Sequence, residues 1–281
     1  MTGRKARNLL FDDRDRLRPL DLVRGTFRPF GPCQGLEGFQ RIGLVLVVPA
    51  AQTSDQLLSE PRLSVHTLLR EDIFAGFREN NLQRLARAER HIEILLRDRP
   101  GERGNLLAWK AGAAMQRAVL AHEAGEAGEF ERFYADAMRD FAEAGRTTSG
   151  RDGVPAITGG TMAVFADRLP STHRARAWSL AYDNYAQLWK EQGADIEKMP
   201  VHHKGEVLSG LTQSAQRTGR TEEAARYLDR MLVVLAGTPY EGLARQWKAD
   251  PAVAGSTNLT CKNCHTPGRL LNRVEALKQQ G

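Results

Sequence analysis

Two thiols and an imidazole stand together near the C-terminus, in the segment Cys261-Lys262-Asn263-Cys264-His265. The third cysteine, Cys33, is far away in the sequence, so the chain has no cysteine pattern typical of a disulfide framework. A spacing of three residues puts two thiols about one helical turn apart, on the same side of the chain. Such a group could bond to a flat cofactor, bind a metal ion or cycle between dithiol and disulfide.

The pentapeptide resembles the haem-attachment motif of c-type cytochromes. In that chemistry the two thiols add to the two vinyl groups on one edge of the porphyrin, and the imidazole that follows binds the iron. The resemblance therefore implies one covalent haem c, with Cys261 and Cys264 in thioether bonds and His265 as the proximal iron ligand.

Three other uses of the cysteine pair stay open. A zinc site needs four ligands, and no second Cys/His pair lies nearby in the sequence. A thioredoxin-like dithiol usually follows a strand of a βαβ unit, and the sequence predicts no such unit. The last possibility is a structural disulfide beside an incidental histidine.

The residues after His265 include no Met or His, so a second axial ligand of a haem iron would come from the helices before the motif or from another chain, or would be absent. In order of preference the candidates are His202 and His203, then Met231 and Met199, and then His173. The pair His202-His203 is also typical of a surface, and Met231 lies on an apolar stripe typical of a core. An iron without a second ligand would favour gas binding or peroxidase-like activity.

A short helix is predicted over 239–247, between the main helical body and the motif. Tyr240 and Trp247 share a face of this helix, which would pack on the haem or on the helices before it. Arg245 or Lys248 would pair with a haem propionate. Elsewhere, three histidines stand among charged residues and are expected to be solvated: His66, His91 and His122.

The sequence predicts an all-α fold from about Asp72 onward. Apolar residues recur at helical spacing, for example from Phe130 to Phe141 and from Ala177 to Trp189. Glycine and proline clusters divide these segments, and no segment alternates with a period of two residues. Ser171 or Thr172 is expected to cap the helix that follows.

Two windows resemble the tetratricopeptide repeat, a 34-residue pair of antiparallel helices with small residues where the helices touch. The matching residues are Gly76, Ala88, Ile92 and Pro100 in the window from Leu69, and Leu211, Gly219, Ala224 and Leu228 in the window from Gly205. Residues 105–144 and 156–192 predict two less regular helix pairs. The resemblance implies a solenoid of helix hairpins over 60–238 with a concave face, followed by a haem-binding segment over 239–281. A generic helical bundle is the alternative.

The N-terminal residues 1–52 are predicted to be a disordered or wrongly assigned leader. Within it, residues 38–52 have the order of a signal peptide: a basic residue, a short apolar core and small residues. About forty residues precede this segment, so we expect translation to start later than Met1. Since c-type haem is attached outside the cytoplasm, export to a Gram-negative periplasm is expected.

The formal charge of +6 does not indicate a nucleic-acid partner. Residues 1–41 hold nine Lys/Arg and five Asp/Glu, so most of the excess lies in the leader rather than on the helical body. No apolar run is long enough for an integral membrane span, and no catalytic constellation predicts an enzyme.

The sequence as a whole favours a periplasmic monohaem c-type cytochrome on a repeat-like scaffold. Its role would be electron transfer, or haem-based sensing, with a redox partner protein bound through the concave helical surface. The alternative is a protein-interaction scaffold with a structural cysteine pair or metal site and no haem.

Overall fold

The computed structural model describes residues 54–150, 152–238, 240–252 and 269–279, and every regular element in these ranges is helical. The all-α expectation is confirmed. The α-helices are α1 Ser54–Leu57, α2 Val65–Glu79, α3 Leu82–Asp98, α4 Arg103–Glu123, α5 Ala127–Arg146, α6 Val154–Phe165, α7 Ser171–Gln192, α8 Val201–Arg217, α9 Thr221–Val234, α10 Glu241–Ala249 and α11 Arg269–Lys278. Short 3₁₀ turns cover Pro100–Glu102, Ala166–Arg168 and Gly193–Lys198.

Helices that follow each other in sequence pack in pairs: α2 with α3, α4 with α5, α6 with α7, and α8 with α9. Neighbouring pairs are joined through contacts of α2 with α4, α4 with α6, and α6 with α8. The helix pairs expected over 105–144 and 156–192 are present as α4–α5 and α6–α7.

Local capping explains where several helices begin and end. The Ser64 hydroxyl accepts a hydrogen bond from the Thr67 amide at the start of α2, and the Asn81 side chain does the same for Arg84 in α3. Between them, Asn80 ends α2 with a φ of 51°. The expected cap of α7 was wrong, because Ser171 is already helical and no side chain caps this helix.

Small residues allow close helix contacts, as the repeat resemblance implies. A methyl group at Gly76 would lie 2.9 Å from Leu85 Cδ1 of the paired helix. Ala88 and Ala224 are both buried. A larger side chain at these positions would overpack the contacts.

The first described residues fold back onto α3. The Arg99 guanidinium donates hydrogen bonds to the carbonyl oxygens of Leu58, Glu60 and Leu63 at 2.5–2.8 Å. His91 is buried, and its Nε2 lies 2.7 Å from Asp55 Oδ1 of α1. The expectation that His91 is solvated was wrong, because α1 covers it.

Tyr185 of α7 fixes the crossing of α6 and α8. A methyl group at Gly210 would lie 2.4 Å from the Tyr185 ring, and one at Gly159 would lie 3.2 Å from it. The ring is therefore held between two helix backbones, and only glycine fits at Gly210. Helix α6 contains no ionisable side chain. Among the helices of the described ranges, none is both long and apolar enough to cross a bilayer.

Candidate functional site

The motif residues Cys261, Cys264 and His265 lie outside the described residues, as does the predicted signal peptide over 38–52. The structure describes the two segments that flank the motif. Helix α10 precedes it and packs on α9, and α11 follows it and packs on α2.

Helix α11 is joined to α2 at its first turn and along its apolar face. The Leu270 amide donates a hydrogen bond of 2.7 Å to Glu71 Oε1. Leu277 is buried, and Leu270 and Val274 pack partly buried against the core. Helix α11 starts four residues after His265 in the sequence, and this contact fixes the first turn of α11 on α2.

His66 and Trp109 form an aromatic corner between α2 and α4. The His66 ring is half-buried, with its centroid 5.3 Å from that of Trp109. The Phe74 ring meets the same indole edge-on at 6.0 Å. Trp109 is 3% exposed, and its Nε1 has no hydrogen-bond acceptor among the described residues. The expectation that His66 is solvated was wrong, because the Trp109 indole covers part of its ring.

The predicted ligand pair His202-His203 lies in the first turn of α8, where the two side chains differ in accessibility. His203 is buried, and its Nε2 makes a hydrogen bond with Gln192 Oε1. Burial lowers the pKa of His203 to about 4. The His202 side chain is 26% exposed, and its Nε2 lies 3.6 Å from Glu206 Oε2. The histidines are therefore not a surface pair, and the structure does not test either as an iron ligand.

Glu206 is a carboxylic acid set between α6, α7 and α8. Its side chain is 16% exposed, and burial raises its pKa to about 7. A methyl group at Gly160 would lie 3.8 Å from Glu206 Oε1 and 3.5 Å from the Tyr185 hydroxyl. The carboxyl thus faces the uncharged α6, with His202 as its nearby basic group.

The remaining candidate ligands are packed in other parts of the fold. Met231 is fully buried, which agrees with its interpretation as a core residue, and Met199 is half-buried. The His173 ring lies 4.5 Å from the ring of Tyr134 and 5.2 Å from that of Phe130. The structure does not bring these residues to the aromatic corner, and their roles as ligands stay predictions.

The linker helix α10 is present as predicted, and its aromatic face packs on the protein. Trp247 is fully buried, and the Tyr240 ring lies against Gly205 of α8. Arg245 pairs with Glu241, and Lys248 pairs with Asp229 at 2.6 Å. Both cations thus have carboxylate partners within the protein.

A groove of about 470 Å³ lies between α3, α4 and α5. Its charged side chains neutralise each other, as in the pairs Arg117–Glu89 at 2.6 Å and Lys110–Glu93 at 2.7 Å. Phe133 provides apolar lining. Because its charges are paired across the walls, this groove offers no clear electrostatic preference for one ligand.

Sequence reasoning missed Glu71, Glu206 and the partnership of His66 with Trp109. Glu71 stands beside Asp72 in α2, and Glu206 is the one acidic residue of α8; only the packing distinguishes these two glutamates from solvated ones. The charged neighbours of His66 predicted exposure, whereas α4 covers part of its ring. Within the described ranges, no group of three or more His, Cys, Asp and Glu side chains is arranged to hold a metal ion.

Comparison with known proteins gives no relative: no family model, no curated protein and no solved structure matches the chain.

Proposed function

We propose that the chain is a periplasmic c-type cytochrome that carries one covalent haem on a helical scaffold. The observation that carries the proposal is the segment Cys261-Lys262-Asn263-Cys264-His265, which has the residue types and spacing that thioether attachment and proximal ligation require.

The residues present near α2 fit a haem. A buried indole N–H at Trp109, without an acceptor among the described residues, suits a carboxylate of the cofactor. The half-buried His66 ring beside it supplies a nitrogen donor, and Phe74 supplies an apolar surface. When bound, the haem supplies an iron that changes between ferric and ferrous states.

The chain's own residues have simple tasks in this proposal. Cys261 and Cys264 would hold the cofactor by thioether bonds, and His265 would supply an imidazole ligand to its iron. The protein then tunes the iron through its second ligand, burial and nearby hydrogen bonds. No side chain has to exchange a proton with a substrate, which is consistent with electron transfer rather than catalysis.

The scaffold is proposed to be a tetratricopeptide-like solenoid with a concave face that binds a redox partner. The sequential helix pairs, the contacts between their first helices and the small residues Gly76 and Ala88 support this arrangement. A signal peptide over 38–52 would direct the chain to the periplasm, where haem is attached.

The test is export of the full chain in a host that has the cytochrome c maturation machinery. Haem staining that survives denaturing electrophoresis and a pyridine haemochrome spectrum typical of two thioether bonds are expected. Cys261→Ser with Cys264→Ser should abolish the stain, while Cys33→Ser should keep it. A wild-type protein without stain would contradict the proposal and favour the alternative, a protein-interaction scaffold with a structural cysteine pair or metal site.

A further inference from the structure

We propose that the aromatic seam between α7 and α9 is a redox site, in which a one-electron oxidant removes an electron from Tyr182 while Glu223 takes the phenol proton. The seam consists of Tyr182 and Trp189 of α7 and of Glu223 and Tyr227 of α9. The inference does not use the cysteine segment, so that it and the proposed function can fail separately.

The seam joins two helices that both pack on α8. Tyr182 and Trp189 are seven residues apart on α7, which is about two turns, and Glu223 and Tyr227 are about one turn apart on α9. Each pair therefore lies on one side of its helix. The Tyr182 hydroxyl donates a hydrogen bond to Glu223 Oε2. Further along, the rings of Trp189 and Tyr227 meet edge-on with their centroids 5.7 Å apart.

The seam lies at the boundary between the protein and the solvent, and its side chains are all half-buried. Helices α3 and α5 flank α4 in the same way, but the space between them is a groove of about 470 Å³ lined by charged side chains. Between α7 and α9, rings and one hydrogen-bonded carboxylate take that place. An oxidant in solution can therefore reach the ring edges, while the Tyr182 proton is directed to a base within the protein.

The surroundings of Tyr182 keep its phenol protonated before oxidation. Burial and, after it, the hydrogen bond to Glu223 raise the pKa of Tyr182 well above its ordinary value. The guanidinium carbon of Arg220 lies 4.2 Å from the centroid of the Tyr182 ring. This positive charge disfavours a ring that has lost an electron and kept its proton. Loss of the electron therefore requires that the proton leaves with it, to a base that is already in place.

The oxidation step balances with one electron and one proton. The O–H bond of Tyr182 breaks, an O–H bond forms on Glu223, and the electron reduces the oxidant. The products in the protein are a neutral phenoxyl radical and a neutral carboxylic acid, so no separated charges are left in the half-buried seam. A one-electron reductant such as ascorbate reverses the step, and the proton returns from Glu223 to the phenol oxygen.

Tyr227 and Trp189 extend this site along the seam. Tyr227 lies close enough to Tyr182 for the two hydroxyls to affect each other's pKa. The contact of Tyr227 with Trp189 is within the range of centroid distances at which aromatic rings touch, so an electron can pass between them without a further cofactor. The radical is stabilised at Tyr182, because Glu223 accepts the proton there.

The experiment generates the oxidant in place, by flash excitation of ruthenium tris(bipyridine) with a sacrificial electron acceptor, in the presence of the full chain. Transient absorption and electron paramagnetic resonance should detect a neutral tyrosyl radical that forms more slowly in D₂O than in H₂O. Tyr182→Phe should remove this radical. Tyr134→Phe, which changes a buried tyrosine stacked on Phe130, should leave it unchanged.

The role of the base is tested by Glu223→Gln, which keeps an oxygen that accepts the hydrogen bond but no longer takes the proton. Radical formation should become about 100-fold slower, at the low end of what a positioned base contributes. Glu222→Gln, at the exposed neighbouring position, should keep the wild-type rate. Trp189→Phe should slow the reaction and leave the radical on Tyr182.

Circular dichroism and urea unfolding of the same samples show which variants are folded, and the solvent isotope effect is measured on the wild type and needs no variant. A folded Tyr182→Phe protein with the wild-type radical yield would overturn the proposal. A wild type without a solvent isotope effect, or Glu223→Gln with the wild-type rate, would also overturn it and leave the hydrogen bond as a structural link between α7 and α9. An unchanged rate in Trp189→Phe would contradict the path along the seam.

Discussion

Two histidine-bearing regions of this molecule bury their side chains in different ways. At the start of α8, His203 is covered and hydrogen-bonded to Gln192, and a carboxylic acid, Glu206, lies beside His202 against an uncharged helix. At the corner of α2, α4 and α11, His66 is half-buried beside a Trp109 indole N–H without an acceptor in the described part of the chain.

The difference shows that histidines with similar sequence surroundings can be buried by different neighbours. The paired histidines of α8 are the more conspicuous sequence feature, but they belong to a tightly packed crossing of helices. The isolated His66 lies on the helix to which the segment after the motif is anchored.

The largest expected change in the free energy of unfolding comes from a substitution in the packed α8 region. Gly210→Val should destabilise the protein by about 3 kcal/mol, because its side chain would enter the space of the Tyr185 ring. Gly242→Ala in α10, where a methyl group meets nothing within 4 Å, should change stability by less than about 1 kcal/mol. Urea unfolding followed by circular dichroism measures both. Similar effects of the two substitutions would contradict the close packing of Tyr185.

Glu206, the buried carboxylic acid of the α8 region, should make the free energy of unfolding depend on pH. The pKa of Glu206 is raised to about 7 from an ordinary 4.5, so the folded state holds an extra proton between these values. Its contribution to stability is complete below pH 4.5 and is lost as the pH rises toward 7. In the wild type the free energy of unfolding should fall by about 1–3 kcal/mol over this pH range, and Glu206→Gln should remove this fall, as urea unfolding at each pH would measure.

The matched control is the exposed Glu222 of α9, whose change to glutamine should leave the wild-type pH profile intact. Ionisable groups near Glu206 are His202 on α8 and Tyr185 on α7, and α6 contributes none. A wild-type profile retained by Glu206→Gln would mean that another group causes the decline.

The ion pair of Asp72 with Arg84 and Arg87 should make stability depend on pH in the opposite direction. Burial alone would raise the pKa of Asp72, but hydrogen bonds from Arg87 and Arg84 outweigh it and lower the pKa. Its contribution is therefore present above the ordinary value of 3.8 and is lost as the pH falls below it. Asp72→Asn should cost about 2 kcal/mol at pH 7 and progressively less in acid. A constant cost from pH 7 to pH 2 would exclude the ionic explanation.

The anchor of α11 gives the smallest expected effect. Glu71→Ala should remove the hydrogen bond to the Leu270 amide and cost about 0.5–1 kcal/mol. The loss should appear as faster amide hydrogen exchange at the start of α11, with the exchange of α8 unchanged. Glu275→Ala, which removes an exposed partner of Lys278, is the control. Unchanged exchange at Leu270 in Glu71→Ala would contradict the anchor.

The sequence predicted the helices and their pairing well, because apolar spacing and glycine or proline breaks are local signals. The linker helix with buried Trp247 and the core position of Met231 are examples. Contacts between distant helices were not predictable in this way. His91 is covered by a contact 36 positions away in the sequence, and the hydrogen bond from Leu270 to Glu71 spans 199 positions. The burial of Glu206 depends on three helices at once. No local pattern records such contacts.

The central claim is that the cysteine pair holds a covalent haem, and the mass of the natively exported, unreduced protein tests it most directly. The account predicts one species whose mass exceeds that of the processed polypeptide by a single haem, with both thioether bonds located at Cys261 and Cys264 by peptide mapping. A colourless protein with the mass of the bare polypeptide would contradict it.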